Sequence, residues 1–187
     1  MKKIINILLL LPVFILTLSC RNDDIPEDIH EHEEIEKLVV TIINKNNSSD
    51  VQTIQYIGGI SDKSVHLEEG MDYAVSLDFQ TKHDDHYHSS NEELLEEKEE
   101  HYITFEFANA DIQVKRINAE ETRNDGTKLG LKTEWKVASV NGEAKANIKL
   151  VHLPVTVQEG FPSTENQQGK TSGGETDVNA FLNLLKK

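Results

Sequence analysis

His83-Asp84-Asp85-His86-Tyr87-His88 holds three imidazoles and two carboxylates within one short tract. Neutral imidazole is a good ligand for Zn²⁺, Cu²⁺ and Ni²⁺. Neighbouring carboxylates raise its basicity and orient its ring. The chemistry implied is capture of a divalent transition metal, with Zn²⁺ the leading ion and His83, His86, His88, Asp84 and Asp85 the ligand set. On extended backbone His86 and His88 point one way and His83 the other, so a turn near Asp84-Asp85 is needed to gather them. A loop that must be ordered on binding carries an entropic cost, and modest affinity is expected. The competing reading is a solvated, charged loop, because His-rich tracts indicate metal only by composition.

Other histidines extend the candidate list. His101 follows the acidic run Glu92 to Glu100. It reaches the His83 segment if the intervening stretch folds back, and otherwise simply begins a strand. His152 lies between Val151 and Leu153. Those neighbours should face the other side, which puts His152 on an exposed face. His30 and His32, one residue apart, form a possible second metal tract that needs outside ligands. His66 reads as a structural or surface residue. No nucleophile elbow, phosphate-cradling glycine loop or cysteine nucleophile is present, and no carboxylate pair stands out as acid and base. The chain is therefore read as a binding protein and not an enzyme.

The totals agree with cation capture. The 187 residues carry a formal charge of −14. Such a surface repels nucleic acid and attracts cations. The lone cysteine, Cys20, rules out a disulfide framework within the chain. It also leaves His nitrogen and carboxylate oxygen as the metal donors.

The N-terminus supplies an address. Lys2-Lys3 is followed by an apolar run from Ile4 to Leu18, then Ser19 and Cys20. Basic, apolar, small is the order of a signal peptide. Leu18-Ser19-Cys20 resembles a bacterial lipobox, with Thr17 where leucine is usual. That resemblance implies cleavage before Cys20, lipidation of its thiol, and a membrane held through the acyl chains. Arg21-Asn22-Asp23-Asp24 is similar to the surface-export signal of Bacteroidota lipoproteins. Residues 20–34 read as an acidic, flexible tether.

The folded domain should begin near Ile35. Short β-type runs then alternate with turn signals. Strands are expected over 38–43, 51–57, 64–67, 73–79, 101–107, 112–116, 129–137, 144–153 and 175–185. Turns are expected at Asn124-Asp125-Gly126, at Asn141-Gly142 as a hairpin, and at Gly173-Gly174. One short acidic helix is expected over 91–100, with Ser90 and Glu93 at capping-box spacing. Trp135 is assigned to the core. The fold class that follows is all-β, an antiparallel β-sandwich with one short acidic helix or loop insertion.

The order of segments resembles a family of uncharacterised Bacteroidota envelope lipoproteins. The pieces that carry the likeness are the Cys20 lipobox, 34–42, 67–77, Glu99-Glu100-His101, 124–131, 148–152 and Gly173-Gly174-Glu175-Thr176-Asp177. The resemblance implies an all-β domain, an outer-membrane location facing the surface or the periplasm, and a TonB-dependent receptor as partner. It also implies histidine at the positions of His101 and His152. The expected function is an envelope lipoprotein that captures a divalent transition metal, accessory to TonB-dependent uptake. The rivals are a metal-independent interaction module of a receptor complex, and a carbohydrate-binding or envelope hydrolase component.

Overall fold

Alternation of apolar and polar residues sets most of the strands in the computed structural model, which describes residues 34–187. In β1 (Ile35–Asn44), Leu38, Val40 and Ile42 are buried, and in β5 (Asp72–His83) Tyr73, Val75, Leu77 and Phe79 are buried. The period of two turns one face of each strand to the core. Between them lie β2 (Val51–Ile57), β3 (Ile60–Ser61) and β4 (Val65–Leu67). The chain continues through β6 (His86–Ser89), a short helix α1 (Asn91–Glu96), and two long strands, β7 (His101–Arg116) and β8 (Lys132–His152). Four short strands follow: β9 (Thr156–Gln158), β10 (Pro162–Ser163), β11 (Asn166–Gln167) and β12 (Lys170–Ser172). The last element is β13 (Glu175–Lys186).

The all-β expectation holds, and the strands expected to divide between two sheets are hydrogen-bonded into one. Its order is β3-β2-β1-β5-β8-β13-β4, with β6 on β5 and β7 on β8. Every pair is antiparallel except β13 with β4. Two small ribbons, β10-β11 and β9-β12, stand beside it. The sheet encloses the core because β8 serves two groups of strands. Its first residues, Lys132–Lys136, pair with β5, and Ala144–His152 pair with β13.

Between those two stretches the ladder is broken. Ala108 pairs with Lys145 while Ala110 pairs with Val140, so Asn141–Ala144 bulge out opposite Asn109. Asn109 and Gly142 both adopt positive φ, 55° and 52°, and Asn109 Nδ2 donates to Glu143 O at 3.3 Å. Asn141-Gly142 therefore makes a bulge inside one strand and not the expected hairpin turn. Bulges bend a strand and increase its twist. The expected strands 101–107 and 112–116 fuse into β7 for the same reason, as 129–137 and 144–153 fuse into β8.

The far ends of the sheet meet again. The Gln52 side chain donates to His66 O at 2.7 Å and accepts from His66 N at 2.8 Å, in the manner of a backbone bridge. Tyr56 Oη donates to Asn179 O at 3.0 Å. Trp135 is fully buried, with Phe105 and Phe107 edge-on at 6.1 and 5.1 Å. Aromatic packing of this kind carries a large share of core energy.

Where β8 ceases to pair with β5, other groups complete the edge. Leu77 N donates to Leu131 O, Asn91 Oδ1 accepts from Phe79 N at 3.1 Å, and Asn91 Nδ2 donates to Leu77 O at 2.8 Å. The helix that follows stops at Glu96, short of the expected Glu100. The expected capping box does not form, since Ser90 makes no side-chain cap. Its hydroxyl turns instead to Thr81 Oγ1, 3.4 Å away. Buried Leu94 holds α1 on the core.

The long β7–β8 connection is organised by two buried charges. Arg116 is 1 % exposed. All five guanidinium N–H groups reach backbone carbonyls, those of Gln167, Lys128, Leu129, Ile103 and Gln168. The plane also lies over Tyr102, 4.5 Å from the ring centre. Glu121, fully buried, accepts backbone N–H bonds from Gly130, Leu131 and Lys132 at 2.7, 2.7 and 3.1 Å. The segment over 158–172, which carries only short strands, covers the free edge of β7. Asn166 Oδ1 accepts from Val114 N, and Gln167 Oε1 from Arg116 N. An uncovered edge invites pairing with other chains.

Among the described residues no helix is long and apolar enough to cross a membrane. Cys20, the leader and the His30/His32 tract lie outside the described residues.

Candidate metal centre

The open end of the β7–β8 hairpin joins two histidines. His101 begins β7, His152 ends β8, and the register pairs them directly. Both continue the core-facing row formed by the pairs Phe105–Ile148 and Ile103–Leu150. Their rings stack, with centroids 4.8 Å apart and planes 12° from parallel. The side chain of His152 is only 15 % exposed, which corrects the expectation that it faces solvent. Val151, on the opposite face, is buried as well.

Strand β13 brings the third group. Gly173 and Gly174 adopt φ of 66° and 80°. A Cβ on Gly174 would stand 2.4 Å from His152 O, so only glycine lets the chain turn this close to β8. Glu175 then pairs with His152 and Thr176 with Val151, but Val178 and not Asp177 pairs with Leu150. Asp177 is an extra, bulged residue, and a bulge re-aims its side chain. Its Oδ2 lies 3.9 Å from His101 Nε2. Ligand atoms of His101, His152 and Asp177 all fall within 4.8 Å of one another. Among the described residues this is the group of His, Cys, Asp or Glu whose ligand atoms converge in that way. Glu100 adds a further carboxylate, with Oε2 3.8 Å from His152 Nε2.

The protonation pattern follows from hydrogen bonds. His101 Nδ1 faces the carbonyl oxygen of Glu97 at 3.2 Å. A carbonyl only accepts, so Nδ1 carries the proton and Nε2 of the neutral ring keeps its lone pair. That lone pair meets the Asp177 carboxylate, another acceptor. Two acceptors facing each other across 3.9 Å favour a shared cation, proton or metal. Burial lowers the His101 pKa below its usual 6.5, the Glu97 hydrogen bond opposes that shift, and His152 adds to it. Asp177 and Glu97 pull the other way by charge. The neutral, ligating form is the favoured one near neutral pH.

Backbone bonds hold the frame. Arg123 Nη1 donates to Lys98 O at 2.7 Å and also to His101 O, and its Nε lies 3.6 Å from Asp125 Oδ2. Leu153 N donates to Glu100 O at 2.6 Å. A Zn²⁺ ion needs donors at about 2.0–2.2 Å, so two ligands of one tetrahedral ion stand roughly 3.3–3.5 Å apart. The rings and the carboxylate must therefore draw in by up to about 1.3–1.5 Å from the present 4.8 Å limit. Asp177 is 29 % exposed and has that freedom. It also lines a cleft of about 320 Å³ shared with Glu34, Glu36 and Tyr56.

The histidine-rich tract is arranged differently from a loop. His83 ends β5 and pairs with His86 across a two-residue turn, Asp84-Asp85, in which Asp84 has φ 51°. The turn puts His83, His86 and His88 on one face of the hairpin, all exposed. Asp84 and Asp85 are exposed at the tip. The tract does not join His101 and His152 in one convergent group. His66 is exposed.

Asp177 was missed by sequence reasoning as a ligand, although its segment stood out as Gly173-Gly174-Glu175-Thr176-Asp177. Regular alternation groups it with exposed Glu175 and Asn179, and the bulge that redirects it leaves no periodic signal. No protein-family model matches this chain, and no curated protein or solved structure matches it either.

Proposed function

We propose that this protein is an outer-membrane lipoprotein that captures a divalent transition metal, Zn²⁺ foremost, through His101, His152 and Asp177. The observation that carries this reading is the convergence of His101, His152 and Asp177 ligand atoms within 4.8 Å, with His101 Nε2 3.9 Å from Asp177 Oδ2. Two nitrogens and one oxygen suit Zn²⁺ and disfavour the all-oxygen shells of Ca²⁺ and Mg²⁺. Three protein donors leave a fourth position for water, for Glu100 or for a group from a receiving protein. That is the arrangement of a site that takes up and hands on its ion. The acidic chain, at −14, concentrates cations near the cleft. The lipid anchor on Cys20 and a TonB-dependent receptor as recipient come from the sequence resemblance.

Calorimetry with Zn²⁺ on the purified chain in detergent tests the reading. Loss of the tightest phase of binding in a His101→Ala/His152→Ala variant supports it. Equal heat in both proteins sinks the centre.

A second reading has its own support. Phe181 and Leu185 stand exposed on the outward side of β13, 49 % and 43 % accessible. Apolar residues left outward on a long strand favour a metal-independent interaction module of a receptor complex. Such a module binds its receptor equally well with metal and with chelator.

A further inference from the structure

We infer that the β5–β6 hairpin is a second transition-metal site, independent of the first, in which His83, His86 and His88 present three imidazoles to one ion. The backbone does the gathering. His83 and His86 are direct cross-strand partners flanking the Asp84-Asp85 turn, and His88 pairs with Thr81. Directly opposite residues on an antiparallel pair have Cβ atoms about 4.5–5.5 Å apart, and i, i+2 residues on one strand share a face. His83 thus faces His86 and lies diagonal to His88. The His83 and His88 rings are already in edge contact, with centroids 5.8 Å apart.

The reverse face keeps the ribbon in place without using a histidine. Lys37 Nζ lies 4.9 Å from the Tyr87 ring centre. Ser89 Oγ and Gln80 Nε2 both donate to the Asp78 carboxylate. Ser90 N donates to Phe79 O at 2.8 Å, tying the end of the hairpin to β5. The ordering cost expected of a mobile loop is therefore already met by strand pairing, and only side-chain rotamers remain to be fixed. Three exposed imidazoles bind Zn²⁺, Ni²⁺ or Cu²⁺ in preference to Ca²⁺ or Mg²⁺. These rings are exposed on the hairpin whereas His101 is buried, so the hairpin holds its ion more weakly than the His101 centre and exchanges it faster.

The test is a Zn²⁺ titration of the full chain in detergent, followed by imidazole ¹H–¹⁵N correlation spectra and by equilibrium dialysis. The wild type is expected to show shifts of the His83, His86 and His88 resonances at Zn²⁺ concentrations at least tenfold above those that move His101 and His152. His86→Ala/His88→Ala should abolish the His83 shift, remove one bound equivalent and leave the His101 shifts unchanged. His152→Ala should leave the hairpin shifts in place. Hairpin resonances that stay still through millimolar Zn²⁺, or that move only while His152 is present, overturn the inference. Hairpin shifts alongside motionless His101 and His152 uphold it and remove the centre proposed above.

Discussion

The imidazoles of His101 and His152 stack at 4.8 Å because they are register partners at the open end of the two longest strands. Their Nε2 atoms each face a carboxylate, Asp177 for His101 and Glu100 for His152. Neither ring can move along its strand without shifting the ladder. The part of the site able to adapt is Asp177, on its bulge.

Asp177→Asn keeps the size but removes the charge and replaces one acceptor oxygen with an NH₂ donor. The expected result is a fall in Zn²⁺ affinity of at least about tenfold, since even outer-shell partners cost about 10–100-fold. Asn179→Ala, on the same strand but outside the convergent group, should leave affinity within twofold. Competition with a chromogenic chelator measures both. Equal affinities in Asp177→Asn and the parent protein would remove Asp177 from the ligand set.

Stability of the metal-free protein should depend on pH through His101. Its folded pKa is lowered, chiefly by burial, from 6.5. Below pH 6.5 the unfolded chain takes up a proton that the folded chain resists. The stability associated with the neutral ring is complete above 6.5, declines as pH falls, and is gone below the folded pKa. Thermal melts from pH 7.5 to 5 in chelator should therefore show a falling midpoint. His101→Gln, which does not titrate, should flatten the curve. Metal affinity falls in the same direction, because protonated imidazole does not ligate.

Gly174→Ala meets two penalties. It places an L-residue at φ 80° and sets its Cβ 2.4 Å from His152 O. A left-handed non-glycine residue costs about 1–2 kcal/mol and overpacking about 1–3 more. Urea denaturation should show a loss of about 3 kcal/mol and weakened metal binding. Gly142→Ala, at φ 52° with nothing within 4 Å, should cost about 1–2 kcal/mol and leave metal binding unaltered. Equal losses at the two positions would show that contact with His152 does not matter.

Arg116→Met should be among the most damaging single changes. It strands the five carbonyls that the guanidinium now satisfies. A loss of about 3–5 kcal/mol is expected by chemical denaturation. Arg116→Lys should recover less than half, because a tetrahedral ammonium has three donors where the planar fork has five. Full recovery by lysine would show that charge alone, and not fork geometry, holds the connection.

Much of the fold was readable locally. The period-two runs at Leu38–Ile42 and Tyr73–Phe79 specify β1 and the first part of β5, since side chains alternate along any strand. Trp135 in the core and the turns at Asn124-Asp125-Gly126 and Gly173-Gly174 follow from residue type in the same way. Asn141-Gly142 shows the limit. The pair favours positive φ in a hairpin and in a bulge alike, and only the partner strand, with Asn109 opposite, chooses between them.

The chemistry divides along the same line. Residue content by itself determined which candidate donors are available, imidazole and carboxylate, and the net negative charge of the chain. It made a turn near Asp84-Asp85 the condition for gathering His83 with His86 and His88, and the pairing of β5 with β6 supplies that turn. The tertiary structure alone decided that His101, His152 and Asp177 converge. Those residues come from three strands, and their meeting depends on long-range register and on one unpaired residue in β13. Periodicity reports which face a side chain takes on its own strand. It is silent about which strand lies alongside, because that is set by how the whole sheet curls to bury its apolar face.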